Sequence, residues 1–273
     1  MARPDEGTRA RGWPRGTSNN SVGGAAGDHS WRRILGVRFL VGDTQQAVSL
    51  GLQGGLVVVP AAPALVALAD DAAYQTALLG ADFAITDSGL MVFLWKLIAG
   101  ETLPRVSGLR YLDLLLRQPE IHHAGAVLWV MPSMAARDRN LTWLHRQGHG
   151  TMDDDCYLAP PYPPGELSDA DLLALVRRRR PAHIVICIGG GTQERLGFYL
   201  RQALDYRPGI HCIGAAIGFL SGDQVRIPAW ADRCYLGWLF RCFSDPKRFV
   251  PRYWRAARLV MLMVRWRDQV PQR

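Results

Sequence analysis

No apolar run in this 273-residue chain reaches the roughly 18–20 residues that cross a bilayer; each meets a charge within about ten. The first thirty residues lack an apolar stretch of the kind that opens a secretory signal, and their Arg, Gly, Pro and Ser content reads as a disordered tail. There is no Cys-x-x-Cys pair. The five cysteines (Cys156, Cys187, Cys212, Cys234 and Cys242) are odd in number, which argues against both a disulfide framework and a zinc site. Cys187 and Cys212 lie inside apolar runs, as small buried hydrophobes do. Reduced thiols in a cytosolic protein are expected. Internal repeats, a helix-turn-helix pattern, a Gly-x-Gly-x-x-Gly turn and a P-loop Lys-Ser/Thr are all missing.

What is present suits a folded, basic protein. Hydrophobic residues make up 48% of the chain, enough for a sizeable core. The formal net charge is +8 and the pI about 9.6. That balance favours an anionic partner: nucleic acid, an anionic membrane or a phosphorylated substrate.

Strand-like and helix-like stretches alternate from Trp31 onward. Strands are expected over 34–40, 56–59, 82–86, 126–130, 183–188 and 210–214. Helices are expected over 64–79, from a Ser88 cap to Leu97, and over 109–117 and 135–147. Two more are expected from Ser168 to Arg177–Arg180 and over 194–204. This alternation predicts an α/β fold, Rossmann-like, with a largely parallel sheet and flanking helices. Three segments follow: a tail over 1–30, a core over 31–236 and a basic C-terminal appendage over 237–273.

Ligands of such sheets bind at the carboxyl ends of strands. Asp87 stands at one such end, where a carboxylate can take a proton from an attacking hydroxyl. Followed by Ser-Gly, it also reads as a plain helix cap. Gly189-Gly-Gly191-Thr-Gln193-Glu194 stands at another, and Gly214-Ala-Ala-Ile-Gly218 at a third. A glycine turn opening a helix offers backbone N–H groups to phosphate, although three glycines are also a common turn. Asp153–Asp155 and His122-His123 read as solvated loops, and Arg177–Arg180 as a solvated helix end. No metal site is expected, hence no cofactor.

Beyond Trp238, cations and aromatics interleave: Arg241, Lys247, Arg248, Arg252, Arg255, Arg258 and Arg265 among Phe243, Phe249, Tyr253, Trp254 and Trp266. Leu259–Val264 adds an apolar stripe. This is the composition of an amphipathic helix on anionic lipid, or of a core-packing helix with a basic outer face.

Taken together these segments resemble the WecG/TagA/CpsF family of bacterial glycosyltransferases. The resemblance rests on Asp87-Ser-Gly89, Leu103-Pro-Arg-Val-Ser-Gly108, Gly189–Glu194 and Gly214–Gly222. Pro228-Ala-Trp230 and Trp238-Leu-Phe-Arg241…Pro246-Lys-Arg248 complete it. It implies an inverting transfer of an N-acetylmannosamine-type or related hexose from a UDP-sugar. The acceptor is a polyprenyl-diphosphate-linked sugar at the inner face of the cytoplasmic membrane. It implies Asp87 as general base, with Arg105, Gly189, Gly191, Gln193, Glu194 and Gly214 around the donor. Arg241, Lys247, Arg248 and Arg252 would meet the diphosphate and acceptor. Arginines then stabilise the departing UDP without metal.

The chain departs from the family pattern at several places. Val59-Pro-Ala61 stands where a Thr-x-Asn is usual, Thr192 where a lysine is, Met131-Pro-Ser133 where a glycine-rich turn is, and Gly237 where a glutamate is. These departures admit a different donor sugar or a weakly active assembly protein of a polysaccharide cluster. A basic nucleic-acid-binding protein is the other alternative; the clustering of arginines beside an apolar stripe speaks against it.

Overall fold

The computed structural model describes residues 30–214, 216–222 and 257–272. Residues 1–29 of the expected tail over 1–30, Pro228–Trp230, Cys234, Cys242 and the cations Arg241, Lys247, Arg248 and Arg252 lie outside the described residues.

β1 (Ser30–Ile34) and β2 (Val37–Val41) form an antiparallel hairpin. A single strand was expected there. The turn is made by Leu35 and Gly36, both at positive φ (52° and 78°), and Leu35 sits unmarked inside an apolar run. Then comes α1 (Thr44–Leu52), which the apolar pattern did not suggest. Asp43 opens it with a capping box: its carboxylate accepts Gln46 N–H, and Gln46 Oε1 accepts Asp43 N–H.

After β3 (Gly55–Val58), the expected single helix over 64–79 is three pieces: α2 (Ala62–Leu65), a 3₁₀ turn and α3 (Ala72–Leu79). Asp71 starts the last piece by accepting Tyr74 N–H at 2.9 Å, which breaks the run despite its continuous apolar content. Next come β4 (Phe83–Ala84), α4 (Gly89–Ala99), α5 (Gly108–Leu116), β5 (Val127–Met131) and α6 (Met134–Arg146). They are followed by β6 (Cys156–Leu158), α7 (Ala170–Arg179), β7 (His183–Ile186), α8 (Thr192–Ala203), β8 (Gly209–Cys212) and α9 (Ala216–Leu220). Last is α10 (Arg258–Trp266). Asp169, rather than Ser168, caps α7.

The eight strands among the described residues order as β1-β2-β4-β3-β8-β7-β5-β6, parallel except for the hairpin. The fold is therefore the expected α/β, Rossmann-like one. β8 joins the two halves, pairing with β3 on one side and β7 on the other. One apolar layer packs α2, α3, α4, α7, α8 and α10 on one sheet face; the other packs α1, α5, α6 and α9 on the opposite face. The chain leaves β3 toward the first face and β8 toward the second. The carboxyl ends of these neighbours thus open a crevice between diverging loops.

Asp153–Asp155, expected to be solvated, is partly inside, whereas the Arg177–Arg180 helix end is largely exposed as expected. Asp155 is 2% exposed, accepts Met152 N–H, and pairs with Arg179, which also meets Asp154. Arg180 pairs with Asp205 and lies over the Tyr206 ring. Sequence position next to a proline-rich stretch concealed this, because Arg179 reaches back from a helix that follows it. Cys187 and Cys212 are buried as expected; these and the half-buried Cys156 carry free thiols.

Candidate functional site

The crevice collects four strand ends in the order β4, β3, β8, β7. At the end of β4, Asp87 does not cap the helix that follows. Ser88 does so, accepting Met91 N–H at 3.2 Å. The Asp87 carboxylate turns instead to α5, where Oδ1 accepts the Gly108 N–H at 2.9 Å. Ser107 supplies no side-chain cap to that helix. The approach is close: a Cβ at position 108 would stand 2.9 Å from Val59 Cγ1, so one of the two would have to shift. Among the described residues, Asp87 Oδ2 carries no protein hydrogen bond.

The segment 103–108 is clamped to this strand end. Thr86 is fully buried; its hydroxyl donates to Pro104 O at 2.6 Å and accepts Val106 N–H at 3.1 Å. Arg105 Nε donates to the Asp87 carbonyl at 2.8 Å. Arg105 and Asp87, 18 residues apart in sequence, thus meet. Thr86 was overlooked; its place directly before Asp87 was the available signal.

At the end of β7, Gly189 and Gly190 are exposed and a Cβ at either would meet nothing within 4 Å. Gly191 lies at φ 90°, a conformation that favours glycine, and opens α8. The side chains after it point inward. Glu194 is fully buried, accepting Gly191 N–H at 2.6 Å and Gln193 Nε2 at 3.0 Å. Gln193 Nε2 also donates to Cys212 O at 3.2 Å, and Gln193 Oε1 accepts Gly214 N–H. Both side chains therefore work as framework, fixing the turn after β7 to the turn after β8. Arg195, equally unforeseen, donates to Gly191 O at 3.1 Å and to the carbonyls of Pro163 and Gly165.

Burial pushes the Glu194 carboxyl above the usual range, while the hydrogen bonds from Gln193 and Gly191 and the Arg195 charge oppose that rise. The Tyr74 hydroxyl is likewise pushed up, by burial first and by Glu194 second. The far side of the sheet holds a separate polar chain. Tyr111 Oη is 2.8 Å from His211 Nδ1, and His211 Nε2 is 3.2 Å from His183 Nδ1. Burial lowers His211 to about 3. His183 opens β7 and His211 is the third residue of β8, and both side chains are buried.

α10 divides the stripe expected to form one lipid-facing side. Leu259 and Met263 are fully buried, facing α4, whereas Val260, Met261 and Val264 stay exposed beside the cation Arg265. α4 also exposes Phe93, Lys96 and Leu97. No helix among the described residues is long and apolar enough to cross a membrane.

The model of the family described as "Glycosyl transferase WecG/TagA/CpsF family" aligns with residues 32–273, nearly the whole chain. A search of curated proteins finds no match.

Proposed function

The chain belongs to the WecG/TagA/CpsF family of glycosyltransferases, a family of cell-surface polysaccharide synthesis, and we propose that it transfers a hexose from a UDP-sugar to a polyprenyl-diphosphate-linked sugar with inversion. The observation that carries this reading is the Asp87 carboxylate, anchored through Oδ1 by Gly108 N–H and with no hydrogen bond to Oδ2 from the described residues, at a strand end next to the switch between β3 and β8.

In the proposed step, the acceptor hydroxyl attacks the anomeric carbon of the donor. Its proton passes to Asp87 Oδ2 as the new C–O bond forms. The bond from the anomeric carbon to the UDP phosphate oxygen breaks, and its electron pair leaves with UDP. Fixing Oδ1 orients the carboxylate, so little reorganisation accompanies the proton transfer. The glycine turns at 189–191 and 214, held by Gln193 and Glu194, present backbone to the diphosphate at the start of α8. Arg105 and the cations Arg241, Lys247, Arg248 and Arg252 neutralise charge on the diphosphates, without a divalent ion.

The membrane part of the reading has its own support. Exposed apolar side chains on α10 and α4, two helices that pack together, alternate with Lys96 and Arg265. Such a surface suits an anionic bilayer that presents the lipid-linked acceptor, at the inner face of the cytoplasmic membrane.

The decisive experiment is a screen of UDP-sugars against lipid-diphosphate-sugar acceptors, read by mass spectrometry. A product heavier by one hexosyl residue, with release of UDP, is expected. Failure of the protein to bind UDP or any UDP-sugar overturns the reading.

A further inference from the structure

The sheet order determines what a donor sugar lies against. Along the carboxyl edge the chain presents Asp87 from β4, then Val59–Ala61 from β3, then Gly214 from β8 and Gly189–Gly191 from β7. On the reading proposed above, on which this inference rests, the diphosphate sits at the glycine turns and the attacked carbon faces Asp87. The hexose between them therefore covers the end of β3. Neighbouring strands are about 4.8 Å apart, so β4 and β8 stand about 10 Å apart, room for one hexose.

What β3 offers there is apolar. Val59, Pro60 and Ala61 bring no side-chain donor or acceptor; Pro60 is buried, while Val59 and Ala61 remain half-exposed. Val59 also adjoins the reacting carboxylate. The point that a Cβ on Gly108 would occupy is 2.9 Å from Val59 Cγ1 and 3.8 Å from Asp87 Oδ1. A sugar hydroxyl turned toward this wall leaves water and finds no side-chain partner, which costs binding. A C–H or methyl group in its place loses nothing and gains contact.

We propose that Val59 and Ala61 select a nucleotide-linked hexose lacking a hydroxyl on the edge that faces them, a deoxyhexose donor.

The test uses the full chain and a set of UDP-hexoses, each missing one hydroxyl, beside their fully hydroxylated parent. UDP affinity is measured first, by calorimetry. In the wild-type protein one monodeoxy donor should exceed the parent in kcat/KM by about 10–100-fold, the range over which an apolar pocket discriminates. Val59→Thr with Ala61→Asn should cut that ratio tenfold or more and leave UDP affinity unchanged. The ratios for the other monodeoxy donors should not move, which separates recognition from the intrinsic reactivity of each sugar. Ala61 is the extended N-cap of α2, where asparagine is favoured, so Ala61→Asn alone serves if Val59→Thr disturbs Gly108. A parent donor that equals or beats every monodeoxy donor, or a ratio indifferent to the substitutions, overturns the inference while transfer itself stands. A protein that binds no UDP overturns the underlying reading, and the inference with it.

Discussion

Gln193 Oε1 accepts the backbone N–H of Gly214 at 2.6 Å, so one side chain on α8 sets the distance between two loops that leave the sheet on different strands. The same amide donates to Cys212 O and to Glu194. Gln193 is 2% exposed and Glu194 is fully buried. Polar residues after a glycine turn are therefore not offered to solvent here; they hold the turn in place.

Removing that clamp should loosen the donor site more than the fold. Gln193→Ala leaves a partly buried Gly214 N–H without its partner, a loss of about 1–3 kcal/mol. Weaker UDP binding by about tenfold is expected in calorimetry, with a modest fall in the urea midpoint. UDP affinity equal to wild type would remove these turns from the donor site.

Asp87→Asn separates orientation from proton acceptance. The asparagine oxygen can still accept Gly108 N–H, so α5 and UDP affinity should be preserved. Transfer should fall by about 10²–10⁴-fold, the usual worth of a general base. Steady-state kinetics at saturating donor gives the answer, and near-normal turnover would exclude Asp87 from the chemistry.

Stability should decline in mild acid because of the buried histidines. His211 has a folded pKa of about 3 against about 6.5 when unfolded, lowered first by burial and then by His183. Above pH 6.5 it is neutral in both states and contributes no pH dependence. As pH falls from 6.5 toward 3, the unfolded chain takes up a proton that the folded chain refuses, and stability is lost. Between pH 6.5 and 5 that loss reaches about 2 kcal/mol for one proton. Urea unfolding at the two pH values measures it; His211→Gln should flatten the dependence.

Membrane attachment should respond to the exposed side of α10. Met261→Gln with Arg265→Glu changes an exposed apolar residue and an exposed cation, leaving the buried Leu259 and Met263 in place. Sedimentation with anionic vesicles should show weaker binding, whereas transfer to a soluble short-chain acceptor should persist. Binding by wild type should also weaken with salt, since the Debye length falls from about 10 Å at 0.1 M to about 3 Å at 1 M.

Elements whose signal is local were legible in the sequence. The Ser88 cap, the apolar run at β7 and the glycine turn after it all lie where residue type implies. The hairpin escaped because Leu35 takes a positive φ that nothing in an apolar run announces. α1 escaped because its weak apolar pattern outweighed the Asp43–Gln46 box that marks its start. The meeting of Asp87 with Gly108 was harder still. It depends on where α4 returns the chain, and no periodicity encodes a return. Likewise, Glu194 is polar by type yet enclosed, because α8 places it over β8 and α3, and side-chain direction is a property of the packed helix.

The position of β8 bears on synthesis. It is the last described strand to be made, yet it belongs in the middle of the sheet, between β3 and β7. A nascent chain that has emerged only to residue 208 holds two part-sheets with bare inner edges, the kind of surface that recruits other chains. Gly214 comes two residues after β8, so the turns that Gln193 clamps together close only when those edges are sealed. Ribosomal stalling before β8 would thus yield aggregation-prone chains without the Gln193–Gly214 clamp, and a closed clamp reports that the sheet is whole.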